Sequence, residues 1–250
     1  TIHNAVLWPT HNILGKYTER MFVNDRVIGV SGNALEAYQN LRGKCNLKES
    51  HYQSIIYNGC AVPQPENHAF KIDNKKINIA FCGRFENQKG IDVLIERIRL
   101  INSKFGDTFL FHLIGSGSYQ NDIQKLSREY SNVLVYDTVP NVANKLYAFD
   151  FLIMPSRFEG LVLISIEASF AKVPVIAARA PGLSETLPVD WPLNFPLEDE
   201  EALLHIIENI KSGEYDLDAL KNQAYSYVSE KFSHRTMVDS YSKLYLEINE

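Results

Sequence analysis

Residues 77–90 have the sequence INIAFCGRFENQKG, which gives the clearest indication of the fold. The six residues Ile77–Cys82 are almost continuously apolar, which is typical of a strand covered on both faces of a parallel sheet. The next eight residues contain two glycines and two cations, and an amphipathic pattern over 91–104 follows them. A buried strand, a glycine-containing loop and a helix predict a β-loop-α unit, with the loop at the carboxyl ends of the strands.

The same order of apolar runs and amphipathic stretches continues along the chain. Short runs rich in β-branched and aromatic residues alternate with helical patterns, and this predicts an α/β fold. The expected architecture is a Rossmann-like parallel sheet with helices on both faces. The remaining predicted strands are 109–114, 133–136, 151–154 and 174–177, and the predicted helices after 91–104 are 119–130, 142–149, 162–171, 199–211, 216–231 and 235–248.

The first 70 residues indicate part of a second Rossmann-like domain. A predicted strand at 27–30 precedes a helix at 34–42, and another strand is predicted at 54–57. Asn33 and Glu36 resemble a capping box, so we expect Asn33 to cap this helix.

A linker and a domain boundary are predicted before the main sheet. Residues 61–76 contain two prolines and many polar residues without periodicity, which is typical of a linker. We therefore expect a partial domain with its linker in 1–69, a complete domain in 70–235 and a final helix in 236–250. Because the chain opens with threonine, we also expect the first domain to continue upstream.

The composition is that of an ordinary globular protein, with 45% hydrophobic and 22% charged residues. A net charge of −5 argues against nucleic acid as a partner. Three cysteines without a C-x-x-C pair argue against a disulfide framework or a zinc knuckle and indicate a reducing compartment. Neither a long apolar run nor a signal peptide is visible, so we expect a cytoplasmic protein without a membrane span. P-loop, nucleophile-elbow and zinc-binding histidine motifs are absent from the sequence, and no metal site is predicted.

The loop after the first predicted strand carries Arg84 and Lys89 between Gly83 and Gly90. Helix N-termini at this edge of a parallel sheet present unpaired N–H groups to anions. Two added cations therefore suit a phosphate or a pyrophosphate. The alternative is that both side chains are solvated loop charges.

Two glutamates surround the start of the helix after the fourth predicted strand. Glu159 lies in the loop, and Glu167 lies in an otherwise almost wholly apolar helix. If the helix starts near Val162, Glu167 is about 7–8 Å along its axis. The carboxylates would then flank the helix N–H groups, an arrangement that fits a sugar diphosphate. A carboxylate in such a helix needs a partner, and the alternative is a buried salt bridge to an Arg or Lys.

Three further loops carry weaker indications. Gly115 belongs to a G-S-G-S loop, where the backbone can approach a ligand closely, but the third glycine of a dinucleotide fingerprint is absent. Val139, in T-V-P at 138–140, is expected to offer backbone groups to a base. The sequence PGLSE at 181–185 starts another helix, with an acidic residue in its first turn.

Together these motifs resemble those of the retaining glycosyltransferases of family 4, the glycosyl transferases group 1, which have the GT-B fold. The first loop resembles the family's G-R-x…K-G, and DFLIMPSRFEG at 150–160 resembles its D-x-x-x-x-P-S-x-x-E-G. Glu159 and Glu167 match its E-x7-E signature, and 181–185 resembles its G-G-x-x-E. V-S at 30–31 resembles a motif of the family's N-terminal domain, whose upstream part this chain is expected to lack.

The resemblance implies a role for each site residue. Arg84 and Lys89 would bind the donor diphosphate, Glu167 the ribose hydroxyls and Glu159 a hydroxyl of the donor sugar. His3 would correspond to the family's catalytic histidine near the transferred sugar. The implied catalytic residues are His3, Glu159, Arg84 and Lys89, and the implied donor-binding residues are Gly83, Arg84, Lys89, Gly115, Val139, Glu159, Gly160, Leu161, Val162, Leu163 and Glu167.

The resemblance also implies the reaction, which is transfer of a sugar from a UDP- or GDP-sugar to a glycan or a lipid-linked acceptor with retention of anomeric configuration. It implies no cofactor or metal besides the donor, a role in polysaccharide or lipopolysaccharide synthesis, and peripheral association with the inner face of the membrane as an open possibility. Departures at 172–173 and 186–197 from the family's glycine-rich patterns affect the expected sugar-side contacts. Two alternatives stay open: a nucleotide-sugar-binding domain without activity by itself, and a sugar-nucleotide epimerase of the same architecture.

Overall fold

The α/β architecture expected from the sequence is confirmed by a computed structural model, which describes residues 26–50 and 52–249. In this part of the chain, parallel strands form a two-stranded and a six-stranded sheet. The strands are β1 (Arg26–Gly29), β2 (Tyr52–Ile55), β3 (Ile77–Cys82), β4 (Phe109–Ile114), β5 (Val133–Tyr136), β6 (Phe151–Met154), β7 (Val175–Ala178) and β8 (Asn194–Phe195). The α-helices are α1 (Gly32–Lys44), α2 (Ile91–Phe105), α3 (Gln120–Glu129), α4 (Leu163–Phe170), α5 (Glu200–Ser212), α6 (Leu217–Lys231) and α7 (His234–Asn249).

The larger sheet has the strand order β5-β4-β3-β6-β7-β8, and all of its neighbouring strands are parallel. The chain enters this sheet at β3, extends through β4 to the edge at β5, and then returns to β6 on the other side of β3. The order therefore reverses between β3 and β6. Open α/β sheets bind ligands beyond the carboxyl ends of the strands at such a reversal.

Buried apolar side chains explain why these stretches form a sheet flanked by helices. Every residue of β4 is buried, and Phe109 and Phe111 are fully enclosed. From α2, the apolar face formed by Leu94, Ile98 and Ile101 joins the same core. The continuous apolar runs of the sequence thus correspond to strands covered by helices, and the spacing of three to four residues corresponds to the helix faces that cover them.

The start of α1 differs from the prediction. Its N-cap is Ser31, whose hydroxyl accepts a hydrogen bond from the Ala34 N–H at 3.0 Å. The predicted capping box of Asn33 and Glu36 is therefore wrong, because Asn33 already lies in the first turn of the helix. Serine is as good a cap as asparagine, so the residue types alone could not choose between the two.

Three other elements differ from their predicted form. The second strand covers Tyr52–Ile55 rather than 54–57, and Val142–Ala148 forms a 3₁₀ helix rather than an α-helix. β8 was not predicted, because a strand of only two residues between prolines has no readable periodicity.

The linker predicted at 61–76 contains neither helix nor strand, yet it is held in place. The Tyr147 hydroxyl donates to the Pro63 carbonyl at 2.6 Å. The Glu66 N–H donates to the Asn144 carbonyl at 2.9 Å. These bonds fix the linker against the 3₁₀ helix.

The last helices return to the first sheet. Arg26 of β1 and Glu247 of α7 form an ion pair with 3.0 Å between Nη1 and Oε2. The N–H of Cys60, which follows β2, donates to the carbonyl of Phe232, the residue after α6, at 2.8 Å. These helices, like the others in the part of the chain that the structure describes, are too short or too polar to cross a membrane.

A buried histidine lies in the core of the larger sheet. His112 of β4 is completely enclosed, with its Nε2 3.2 Å from Asn78 Oδ1 and its ring stacked on Tyr136. Burial lowers the pKa of His112 to about 4, while the nearby Asp150 carboxylate opposes this shift to a smaller extent. The imidazole is therefore neutral at pH 7 in the folded protein.

We expect acid to destabilise the protein through His112. The unfolded chain protonates this histidine near pH 6.5 and the folded protein only near pH 4, so its contribution is complete above pH 6.5 and is lost as pH falls to 4. The loss is about 3 kcal/mol of unfolding free energy. Urea denaturation across this range should show a smaller decrease in stability for His112→Leu than for the wild type. His205→Leu, on the exposed side of α5, should behave like the wild type, and equal decreases in all three proteins would contradict the assignment.

Candidate functional site

A cavity of about 540 Å³ opens at the carboxyl ends of the larger sheet, where the strand order reverses. The loops after β3, β4, β5 and β6 and the first turns of α4 surround it. Every predicted site residue lines this cavity except Gly160 and His3, and His3 lies outside the described residues. The lining residues are Cys82, Gly83, Arg84, Lys89, Ile114, Gly115, Ser116, Thr138, Val139, Val142, Glu159, Leu161, Val162, Leu163, Ile164 and Glu167.

Hydrogen bonds fix the loop after β3 to the loop after β4. The Phe85 N–H donates to the Ser116 carbonyl at 2.9 Å. The Glu86 carboxylate accepts from the hydroxyl and the N–H of Ser118, at 2.7 and 3.0 Å, and these bonds hold the pKa of Glu86 below its usual range. Arg84 therefore projects an exposed side chain from a backbone that both loops hold in place.

Lys89 and Glu159, predicted to hold different parts of a ligand, form an ion pair. Lys89 Nζ lies 2.6 Å from Glu159 Oε1, with 18% of the lysine and 8% of the glutamate side chain exposed. Because both groups are shielded from water, their charges interact more strongly than those of a surface pair. An ammonium has three N–H donors, so Lys89 can donate to a phosphate while it remains bonded to Glu159.

Glu167 lines the same cavity from the second turn of α4. Within residues 26–50 and 52–249 its carboxylate has no hydrogen-bond or ion-pair partner, so the buried salt bridge considered as an alternative is not found there. Burial raises the pKa of Glu167. A half-buried carboxylate without a protein partner is unfavourable, and ligand hydroxyls would provide the missing donors.

The start of α4 is the third feature of the cavity. Residues 161–164 all line it, and the N-cap residue Val162 has no side-chain acceptor for the N–H groups of the first turn. A helix N-terminus with such N–H groups attracts anions. Gly160 does not line the cavity, and its carbonyl accepts a hydrogen bond from the Ser31 hydroxyl at 2.8 Å, while the predicted role of its N–H stays a prediction.

A second cavity, of about 440 Å³, lies between α2 and α3. Most of its charged side chains form ion pairs, as Arg157 does with both oxygens of Asp92 at 2.7 and 2.8 Å. In the described part of the chain, no group of three or more His, Cys, Asp or Glu side chains could hold a metal ion. The cavity at the strand ends is therefore the stronger candidate for a ligand site.

Comparison with known proteins identifies the family. The sequence model of the glycosyl transferases group 1 matches residues 76–211, which is more than half of the chain. The chain belongs to this family. It is 32% identical over 203 residues to an uncharacterized 41.2 kDa protein in the cps region of Klebsiella pneumoniae, a match that covers 76% of this chain and 54% of that protein. It is 30% identical over 206 residues to an uncharacterized glycosyltransferase of Methanocaldococcus jannaschii, covering 78% and 54% of the two chains.

The fold of this group 1 glycosyltransferase chain is that of solved GT-B glycosyltransferases. The structure of Anabaena HepE, in complex with UDP, matches with a TM-score of 0.77 and 15% sequence identity, over 98% of this chain and 71% of HepE. The chain spans about half the length of the curated relatives reported above.

The sequence of this group 1 glycosyltransferase did not indicate how the start of α1 contacts the loop that carries Glu159. Glu185, the acidic residue of the PGLSE motif, accepts hydrogen bonds from the N–H groups of Gly32 and Asn33 at 2.7 and 2.8 Å. The Asn33 Nδ2 donates to the Glu159 carbonyl at 2.9 Å. The V-S motif at 30–31 and the PGLSE motif at 181–185 were the sequence signals near these contacts, but neither indicated that the two segments meet.

Proposed function

We propose that this chain forms the donor-binding part of a retaining hexosyltransferase, which transfers a sugar from a nucleotide diphosphate sugar to a glycan or a lipid-linked acceptor. The strongest support is the arrangement around one cavity of a lysine–glutamate pair, a helix N-terminus and a carboxylate that has no partner among the described residues. These features complement a diphosphate, a sugar and a ribose in one ligand. Family membership supports the same reaction class.

Each part of the donor has a proposed partner. Arg84 and Lys89 supply positive charge for the diphosphate, and the N-terminus of α4 adds its dipole. Glu167 accepts hydrogen bonds from the ribose hydroxyls, and Glu159, held by Lys89, accepts from a hydroxyl of the sugar. Backbone groups near Val139 contact the base.

In the proposed reaction, the bond between the anomeric carbon and the diphosphate oxygen breaks, and the acceptor oxygen bonds to that carbon on the same face. The acceptor proton passes to the departing phosphate. Arg84 and Lys89 stabilise that phosphate by preorganised electrostatics, without a further cofactor. Because the departing phosphate, rather than a protein carboxylate, assists the acceptor in this scheme, Glu159 is not assigned as a covalent nucleophile. His3 stays a predicted catalytic residue.

The names of similar proteins support a narrower choice of substrates. HepE was solved with UDP, which supports a UDP-sugar as donor, with a GDP-sugar as the second choice. The Klebsiella relative comes from a cps region, which supports a polysaccharide or lipopolysaccharide precursor as acceptor. We further propose a cytoplasmic location, with peripheral contact to the inner face of the membrane when the acceptor is lipid-linked.

A calorimetric binding screen tests the proposal. The chain should bind either UDP and UDP-glucose or GDP and GDP-mannose, and binding of none of the four would contradict a donor site. Product analysis with a polypeptide that contains this chain then separates the activities. A transferase forms a glycoside only with acceptor, an epimerase converts donor without acceptor, and a binding domain does neither.

Replacement of Glu167 with glutamine should weaken nucleotide binding without loss of stability. An amide keeps one acceptor but loses the charge, so affinity for the nucleoside diphosphate should fall about 3- to 10-fold. Burial keeps Glu167 protonated to higher pH in the folded protein than in the unfolded chain, so its ionised form lowers stability above pH 4.5. Glu167→Gln should therefore be at least as stable as the wild type at neutral pH.

Calorimetry and urea denaturation measure both effects of Glu167→Gln. Glu230→Gln, which changes an exposed glutamate of α6, is the matched control and should leave both unchanged. A Glu167→Gln protein that is clearly less stable than the control would indicate that Glu167 has a structural partner.

A further inference from the structure

Residues 31–33, which are the N-cap Ser31 and the first two residues of α1, bind the loop that carries Glu159. We call these residues the docking turn. The Ser31 hydroxyl donates to the Gly160 carbonyl at 2.8 Å, and the Asn33 Nδ2 donates to the Glu159 carbonyl at 2.9 Å. Two consecutive carbonyls of the loop after β6 therefore accept hydrogen bonds from side chains at the start of α1.

The docking turn is itself bonded by Glu185, which follows β7 of the larger sheet. Glu185 accepts from the N–H groups of Gly32 and Asn33, at 2.7 and 2.8 Å, and so satisfies the N-terminus of α1 with a negative charge. The Tyr57 hydroxyl also donates to Glu185 at 3.2 Å, and burial together with this carboxylate raises the pKa of Tyr57 to about 12. The contact is thus polar, directional and made from both sides.

Glu159 is held at three of its groups, and the docking turn holds one of them. Its carboxylate is bonded to Lys89, and its N–H donates to the Pro181 carbonyl at 3.0 Å. Its carbonyl depends on Asn33 alone among the described hydrogen bonds. Loss of the Asn33 side chain would leave the charge of Glu159 unchanged and release its carbonyl.

We propose that Asn33 is a positioning residue for the sugar end of the donor site, with Ser31 and Glu185 in support. The inference rests on the proposed function, because it takes Glu159 as the partner of the donor sugar. Of the groups proposed for the diphosphate and the ribose, the side chains of Arg84, Lys89 and Glu167 have no hydrogen bond to the docking turn within residues 26–50 and 52–249. The hydrogen bonds between the docking turn and the Glu159 loop thereby affect recognition of the sugar separately from recognition of the nucleotide.

Asn33→Ala tests this separation by calorimetry with UDP, UDP-glucose, GDP and GDP-mannose. For the nucleotide that the wild type binds, affinity for the sugar nucleotide should fall about fivefold, while affinity for the nucleoside diphosphate should stay within about twofold. Asn40→Ala, on the exposed side of the same helix, is the matched control and should change neither. Asn33→Ser, which is too short to reach the Glu159 carbonyl, should repeat the effect if Asn33→Ala folds poorly.

The outcomes distinguish the inference from the proposed function. If both variants lose affinity for both ligands to the same extent, Asn33 is a general structural residue and the inference is overturned. If both variants match Asn40→Ala while the wild type binds nucleotide, the inference alone is overturned. If the wild type binds none of the four ligands, the proposed function fails and the inference falls with it.

Discussion

Lys89→Met should weaken binding of a nucleoside diphosphate about 10- to 150-fold, because a charge-assisted hydrogen bond contributes roughly 1.5–3 kcal/mol. The methionine keeps most of the length and apolar character of the side chain and removes only the ammonium. It also leaves the Glu159 carboxylate, with 8% of its side chain exposed, without its partner at 2.6 Å. We therefore expect a second effect, a loss of about 1–3 kcal/mol of unfolding free energy.

A double variant separates the two effects of Lys89. Lys89→Met combined with Glu159→Gln removes the unpaired charge, so it should recover stability without recovering nucleotide affinity. Lys76→Met is the matched control, because Lys76 Nζ lies 2.7 Å from Asp107 Oδ2 in an ion pair that is not among the cavity residues. Unchanged affinity of Lys89→Met in isothermal titration calorimetry would remove Lys89 from the diphosphate site.

Much of the fold was predictable because the larger sheet is buried on both faces. Continuous apolar runs such as Ile77–Cys82 and Phe109–Ile114 occur at the observed strands. The loops between them could therefore be placed at one edge of the sheet, and ten of the sixteen cavity-lining residues were named in advance. The two-residue strand β8 and the 3₁₀ helix at Val142–Ala148 have no such signal, because their short length hides any periodicity.

Contacts between distant side chains could not be read from the sequence. The partner of Lys89 is 70 residues away, and the residue that Asn33 contacts is 126 residues away. The sequence raised a salt bridge as the alternative for Glu167, but among the described residues it is Glu159 that is paired with a cation. The difference arises from which loops meet at the strand ends, and that depends on the strand order rather than on local residue patterns.

Gly90 shows how closely the cavity loops approach each other. It has a left-handed backbone conformation, with φ 68° and ψ 30°, at the junction of the β3 loop and α2. A Cβ atom at this position would lie 1.8 Å from the Pro155 carbonyl oxygen in the loop after β6. The same loops are joined by hydrogen bonds, since the Arg157 N–H donates to the Gln88 carbonyl at 2.9 Å. An alanine at position 90 would therefore force apart the loops that carry Lys89 and Glu159.

Gly213 provides a control with the same backbone conformation but no clash. It caps α5 with φ 74° and ψ 25°, and a Cβ atom there would have no neighbour within 4 Å. Gly213→Ala should cost about 1–2 kcal/mol for the left-handed conformation alone. Gly90→Ala should cost about 1–3 kcal/mol more because of the overlap with Pro155.

Nucleotide binding should separate the two glycine variants even more clearly than stability. Displacement of the β3 loop moves Lys89 relative to Glu159 and the α4 N-terminus, and a positioning error of this kind should reduce affinity about tenfold or more. Gly213→Ala, at the far end of α5, should bind within about twofold of the wild type. Urea denaturation and calorimetry on the same samples measure both quantities. The contrary result would be a Gly90→Ala protein that is as stable as Gly213→Ala and binds nucleotide equally well. That result would show that the loops after β3 and β6 can move apart, and that their close contact is not required for the nucleotide site.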